Sequence, residues 1–258
     1  AYAQAALDGG AQLVLGEPVV RLQTPSTTDE RWTVVSQKDH GQRSFHADMV
    51  WSTIPISTLA RLILPAPPPE VVDATETIHY RAMMIVYLQL PVDRFTEFDA
   101  HYFPDSDLSI TRLSEPRNYS AVSEPRGSTV LCAELPCSTS DEVWQMPNDE
   151  IAEVVVRDLE RAALPVPAAP VHVEIRRLAQ AYPIYERGYE DPLQRLEAWL
   201  ASQPNLLTFG RQGLFVHDNT HHALFMAYCA ASCLVDGGWQ ADRWSEYRRV
   251  FETHVVED

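Results

Sequence analysis

Gly210-Arg211-Gln212-Gly213-Leu214-Phe215-Val216-His217-Asp218-Asn219-Thr220-His221-His222-Ala223 is the stretch on which the reading turns. The apolar run Leu206 to Phe209 before it reads as a short strand, and two glycines then turn the chain. Asp218-Asn219-Thr220 stands where a helix from Ala223 to Val235 begins, stopped by Gly237-Gly238. Free N–H groups and the positive dipole end at such a place suit an anion or a carbonyl oxygen. Asp, Asn and Thr are equally ordinary N-caps, and spacing alone leaves both readings standing.

On either side the helical periods are clear. Leu193, Leu196, Trp199 and Leu200 give a helix over Pro192 to Gln203, and a last amphipathic helix covers Trp239 to Phe251. Further upstream the texture changes. Tyr80 to Leu90, Ala100 to Phe103, Leu108 to Leu113, Ser128 to Leu135 and Val171 to Leu178 read as strands. Asn148 to Leu164 interrupts them as a helix with Ile151, Val154, Val155, Leu159 and Ala162 on one side. This order suggests an antiparallel sheet covered on one face.

The first block mixes both types. Tyr2 to Leu7 is a helix closed by Gly9-Gly10, while Gln12 to Leu15, Pro18 to Gln23 and Arg31 to Gln37 are strand runs. Phe45 to Asp48 leads into a strand at Met49 to Thr53, and Ile56 to Leu64 has helical spacing ended by Pro65. Pro65 to Pro69 is a linker or a stiff turn. The fold class is α+β. The expected boundaries are 1–68, 69–190 and 191–258.

Composition narrows the function. The 258 residues hold 20 Lys+Arg against 36 Asp+Glu, a formal charge of -16, which disfavours nucleic acid and anionic lipid as partners. No apolar run approaches the roughly 20 residues of a membrane span, and Ala1-Tyr2-Ala3-Gln4 has no basic leader. The four cysteines Cys132, Cys137, Cys229 and Cys233 show no C-x-x-C, so free thiols in a cytoplasmic protein are expected. His217 with His221 or His222 is the one ligand-like histidine spacing, without a carboxylate or thiolate at a fitting distance, so no metal site is expected. With 10 Gly in the chain, neither G-x-G-x-x-G nor G-x-x-x-x-G-K-[ST] occurs.

Two further segments can carry chemistry. In Thr111-Arg112-Leu113-Ser114-Glu115-Pro116-Arg117, alternation puts Ile110, Arg112 and Ser114 on one face. A cation there needs a carboxylate or phosphate; solvated strand charges paired with Glu115 are the plainer reading. In Ala181-Tyr182-Pro183-Ile184-Tyr185, two phenols flank a proline, for packing or for lining a pocket.

Taken in order, these segments resemble the C-terminal part of the flavin-dependent amine oxidase and protoporphyrinogen oxidase superfamily, in a branch close to UDP-galactopyranose mutase. The resemblance covers nearly the whole chain and implies an α/β remnant of an FAD-binding domain plus an antiparallel-sheet substrate domain. It rests on Glu17-Pro18-Val19-Val20, Ser52-Thr53-Ile54-Pro55, a T-R-x-x-E-x-[KR] element at Thr111 to Arg117, Y-P-x-Y at Tyr182 to Tyr185, and G-R-x-G-x-[FY] from Gly210 to Phe215, continued to Asn219. His217, Thr220 and His221 stand where the family pattern has Tyr, Met and Asp.

The resemblance implies an FAD-dependent oxidoreductase, or alternatively a nucleotide-sugar mutase, acting on a small molecule; a non-catalytic binding domain is the third reading. It implies substrate contacts at Arg112, Arg117, Tyr182 and Tyr185. It implies FAD contacts at Val19, Val20, Gly210, Arg211, Gly213, Asn219, Thr220 and His221, largely through backbone N–H groups that survive side-chain change. It singles out no catalytic residue. Because the family's pyrophosphate turn is not among these residues, the chain is expected to be a piece of the enzyme, without its N-terminal FAD-binding segment. On its own such a piece would be inactive and bind FAD weakly.

Overall fold

Trp32-Thr33-Val34-Val35, bulky and β-branched, forms the middle of a meander, as its fit to a pleated surface predicts. The computed structural model describes residues 1–27, 30–39, 41–120, 124–236 and 238–256. The chain divides into two units, Ala1–His79 with Tyr185–Asp258, and Tyr80–Ile184. Among the described residues no helix is long and apolar enough to cross a membrane.

In the first unit, helix α1 (Tyr2–Asp8) ends on Gly9 and buries none of its side chains. The run from Gln12 to Leu15, expected as a strand, is irregular and has no ladder partner among the described residues. Strands β1 (Val19–Gln23), β2 (Trp32–Lys38) and β3 (Gly41–Ala47) pair antiparallel, with Leu22 opposite Val34 and Val34 opposite Phe45. Trp32 is fully buried, its indole N–H donating to the Pro204 carbonyl at 2.7 Å. The strand expected at Met49 to Thr53 is β4 (Val50–Ser52), which lies in a different sheet from β3.

Helix α2 (Ile56–Leu62) stops earlier than its spacing predicts, because Leu64 precedes Pro65 and is pushed out of helical geometry. Ile63–Leu64 instead forms β5, which lies parallel to β1. The proline cluster is not only a linker. Pro69 is the first residue of α3 (Pro69–Thr77), where a missing N–H costs nothing. Arg61 fastens α2 to α3 by donating to the Thr75 hydroxyl at 2.9 Å and the Thr75 carbonyl at 2.8 Å.

The second unit is built on a five-stranded sheet. Its strands are β6 (His79–Leu90), β7 (Ala100–Tyr102), β8 (Arg112–Ser114), β9 (Thr129–Cys137) and β10 (His172–Ile184), in the order β10-β6-β9-β8-β7. The β6–β9 register runs from Ala82 opposite Cys137 to Leu90 opposite Thr129. Alternation puts Met84, Val86 and Leu88 with Leu131, Ala133 and Leu135 on one buried face. After the short α4 (Glu142–Gln145), helix α5 (Asn148–Arg161) covers that face through Ile151, Val155 and Leu159. The opposite face carries the polar alternates, Tyr87, Cys132 and Glu134.

Ile110 does not share a face with Arg112. It is fully buried in the core with Leu113, because β8 begins only at Arg112. The turn before it is held by buried Asp158 of α5, whose carboxylate accepts from the Ser109 and Ile110 N–H groups at 2.6 and 3.3 Å.

Returning to the first unit, α6 (Glu190–Ala201) packs on α3. Strand β11 (Leu206–Thr208) lies parallel to β4, with Leu207 opposite Trp51 and Thr208 opposite Ser52. A one-turn helix α7 (Gly210–Gly213), α8 (Thr220–Ser232) and α9 (Ala241–Phe251) complete it, with Leu207, Phe209, Met226, Cys229 and Phe251 in one core. The predicted glycine stop of α8 includes Gly237, which lies outside the described residues.

Candidate functional site

The turn between β11 and α8 is built by two glycines for different reasons. Gly210 has φ +77 in a buried position, a conformation that costs an L side chain about 1–2 kcal/mol. A Cβ there would meet only the Thr53 side chain, at 3.7 Å. Gly213 is required by close approach: its Cβ would lie 3.1 Å from the Ser52 carbonyl oxygen. The turn is thereby pressed against the end of β4, at Ser52-Thr53.

Phe215 follows in the left-handed region at φ 56 with its side chain fully buried. Tyr185 holds this bend, donating from its hydroxyl to the Phe215 carbonyl at 3.3 Å and accepting from the His217 N–H at 3.1 Å. Its ring stacks on Tyr189 at 4.8 Å and meets Phe215 edge-on at 5.9 Å. Burial pushes the Tyr185 phenol above the usual tyrosine range, and the His217 N–H offsets part of that rise.

Helix α8 starts one turn before Ala223, at Thr220. Asn219 is its N-cap in a capping box: the Asn219 side chain accepts from the His222 N–H, and His222 Nδ1 accepts from the Asn219 N–H at 3.3 Å. Thr220 and His221 occupy the first two helical positions, whose N–H groups have no acceptor within the helix. The cap engages the third N–H and leaves the first two without an acceptor inside the helix.

Asp218 is the residue whose position the sequence conceals. It is buried, with Oδ1 3.4 Å from His222 Nδ1 and Oδ2 3.2 Å from His254 Nδ1. His254 comes from beyond the end of α9, and its ring stacks on His222 at 4.3 Å. The visible signal was the four-residue spacing of Asp218 and His222; nothing local indicates His254. Asp218 is thus a carboxylate at fitting distance for His222, against the expectation of none.

Val19 and Val20 are exposed at the start of β1, where the ladder shifts register between Val19 and Arg21. Their neighbour Glu17 is fixed by the Ser36 hydroxyl at 3.0 Å.

In the second unit, Arg112 lies on the polar face of the sheet. Its Nη1 is 3.3 Å from Glu134 Oε1, its Nη2 donates to the Tyr119 hydroxyl at 3.4 Å, and its guanidinium sits 5.6 Å over the Tyr102 ring. Its buried Nε has no hydrogen-bond partner among the described residues. Glu115 is not the partner of the strand cations. It is 1% exposed and accepts from the Phe95 and Thr96 N–H groups, both at 2.9 Å, and from the Thr129 hydroxyl at 2.6 Å. Its charge is met by backbone dipoles, so it organises a loop instead. Arg117 donates from Nη1 to the carbonyls of Pro125 and Ser128, at 2.6 and 2.8 Å. Tyr182 is half-buried near the end of β10, a strand that continues through Pro183 to Ile184.

All four cysteines are free, and burial pushes each thiol above its ordinary range, away from nucleophilic thiolate chemistry.

A sequence profile described as flavin containing amine oxidoreductase matches residues 1–241. No curated protein matches the chain. Among solved structures, a reduced UDP-galactopyranose mutase superposes with a TM-score of 0.71 at 18% identity, over 95% of this chain and 52% of its own. Wild-type putrescine oxidase bound to putrescine gives 0.57 at 14% identity, over 83% and 48%. A protein from Exiguobacterium sp. 255-15 assigned as a protoporphyrinogen oxidase gives 0.54 at 24% identity, over 76% and 42%. The chain spans about half the length of the structures it matches.

Proposed function

Since this chain belongs to the family of flavin-containing amine oxidoreductases, we propose that it forms the C-terminal side of an FAD site and the substrate-binding sheet of an FAD-dependent oxidoreductase. The observation that carries the reading is the turn at Gly210 and Gly213, pressed onto Ser52-Thr53 and followed directly by the N-terminus of α8. That arrangement has the donor chemistry a flavin needs on this side. The N–H groups of Thr220 and His221 suit a carbonyl oxygen, and they serve whatever side chain the position carries. Arg211, in the turn itself, supplies the cation for the cofactor's phosphates. The G-x-G-x-x-G turn that completes such a site is proposed to come from outside these 258 residues.

FAD, when bound, supplies the hydride acceptor. The chain's own residues position the cofactor and exclude water. Tyr185, Tyr189 and Phe215 form an aromatic wall beside the turn, fixed by the two hydrogen bonds of the Tyr185 hydroxyl. On the sheet of the second unit, the partly exposed guanidinium of Arg112 and the ring of Tyr102 offer a polar, aromatic surface for a small molecule.

The oxidoreductase reading is preferred to the mutase reading on charge. Glu134 already faces Arg112, and Arg117 gives two hydrogen bonds to carbonyls, which weakens the pair as a clamp for a diphosphate. The test is anaerobic mixing of the FAD-loaded protein at its natural length with a panel of small amines. Bleaching of the oxidised flavin band supports the oxidoreductase. Absence of bleaching, with conversion of UDP-galactopyranose by the reduced protein, establishes the mutase instead.

A further inference from the structure

The geometry points to a divalent-metal site formed by Asp218, His222 and His254, suited to a borderline ion of the Zn²⁺ class. These residues are all but enclosed: the side chains of Asp218, His222 and His254 are 4%, 12% and 10% exposed. One potential ligand atom from each lies within 4.8 Å of the other two. Two neutral imidazoles and a carboxylate make a donor set that Zn²⁺ takes readily, with one position left for water.

The spacings fit. With metal–ligand bonds of about 2.0–2.1 Å, neighbouring ligand atoms of a tetrahedral ion are separated by about 3.3–3.4 Å. His222 Nδ1 lies 3.4 Å from Asp218 Oδ1 and His254 Nδ1 3.2 Å from Asp218 Oδ2, so the carboxylate meets each imidazole with its own oxygen. The two rings stack with centroids 4.3 Å apart, and each turns its Nδ1 to one oxygen of the same carboxylate, so small ring rotations bring both lone pairs onto one ion. Proton accounting favours a cation as well. In the capping box His222 Nδ1 accepts from the Asn219 N–H and so carries no proton toward the Asp218 oxygen 3.4 Å away, and two acceptors that close favour a cation beside them. A proton on His222 Nδ1 would remove the acceptor for the Asn219 N–H. A second proton would place two imidazolium rings face to face over one carboxylate. A single ion neutralises the carboxylate and uses both lone pairs, in exchange for one hydrogen bond of 3.3 Å. The ion would tie the segment after α9 to the loop between Gly213 and α8, so that the loop geometry responds to metal.

The experiment uses the 258-residue chain stripped of metal by chelation, titrated with Zn²⁺ against a competing indicator and with Co²⁺ by absorption. One ion per chain is expected, with a four- or five-coordinate cobalt spectrum free of thiolate charge transfer. His254→Gln and Asp218→Asn each weaken binding at least about 10-fold, since loss of even an outer-shell partner costs that much. Far-UV circular dichroism of the metal-free variants checks that they fold; should either fail, X-ray absorption of the zinc-loaded wild type must still show an N/O shell with imidazole scattering. Three results overturn the proposal: no stoichiometric uptake, uptake unchanged in both folded variants, or a cobalt spectrum with thiolate bands. The first would leave a hydrogen-bonded His–Asp–His cluster only.

Discussion

Replacing Gly213 with alanine adds one carbon at the point where the turn meets β4. The ideal Cβ falls 3.1 Å from the Ser52 carbonyl oxygen and 3.6 Å from Thr53 Cα, both backbone atoms of a strand and its exit. Neither can rotate away. Either the turn lifts or β4 shifts by a few tenths of an ångström, and overpacking of this kind costs roughly 1–3 kcal/mol. For a unit of this size each kcal/mol lowers Tm by about 2–4 °C, so a fall of roughly 2–12 °C is expected by scanning calorimetry. Gly210→Ala should cost about 1–2 kcal/mol through its positive φ alone, since no backbone crowds it. Gly41→Ala is the control, with no neighbour within 4 Å and no positive φ. Melting of Gly213→Ala together with wild type and Gly41→Ala would refute the close-approach argument, and with it the account of how the turn is seated.

In Glu115→Ala, the Phe95 and Thr96 N–H groups lose their buried acceptor, at about 1–3 kcal/mol each, so urea denaturation should reveal a loss of roughly 2–6 kcal/mol; a loss under about 1 kcal/mol would sink this reading. Burial raises the phenols of Tyr185, Tyr189 and Tyr87 in the folded state. The unfolded chain therefore releases those protons first, and this contribution to stability is complete below about pH 10 and falls as pH rises above it. Tyr185→Phe should flatten that decline in urea titrations between pH 8 and 11, and an unchanged slope would contradict the assignment to Tyr185.

The regular parts of the fold are legible because period and burial coincide. Strand β6 alternates from Met84 to Leu90, so its core face can be read directly there, and the apolar stripe of α5 names Ile151, Val155 and Leu159. Failures occur where a local pattern competes with a partner distant in sequence. Ile63 and Leu64 continue the apolar spacing of α2, yet the pre-proline restriction and the open edge of β1 make them a strand. Pro69 looks like linker and starts a helix. Ile110 fits the alternation of β8, but Asp158, far along the chain on α5, bends the backbone before the strand begins. At the candidate site, the glycine turn and the cap of α8 are written locally, and Asn219 is found where its residue type predicts. Glu115 is misread because its partners are two backbone N–H groups, which no sequence displays, with the Thr129 hydroxyl and the Asn118 amide. Asp218 and His254 meet only through the packing of α8 against α9, and no spacing rule spans that distance.

The central claim is that the Gly210–His221 turn is one side of a flavin site, and the direct measurement is FAD binding by the protein at its natural length, with Arg211→Ala beside it. One FAD per chain is predicted, with the characteristic visible spectrum and an affinity at least about 10-fold weaker in the variant, since a charge-assisted hydrogen bond to phosphate contributes about 1.5–3 kcal/mol. A colourless protein without affinity for FAD, or a flavin bound equally well by Arg211→Ala, would contradict it.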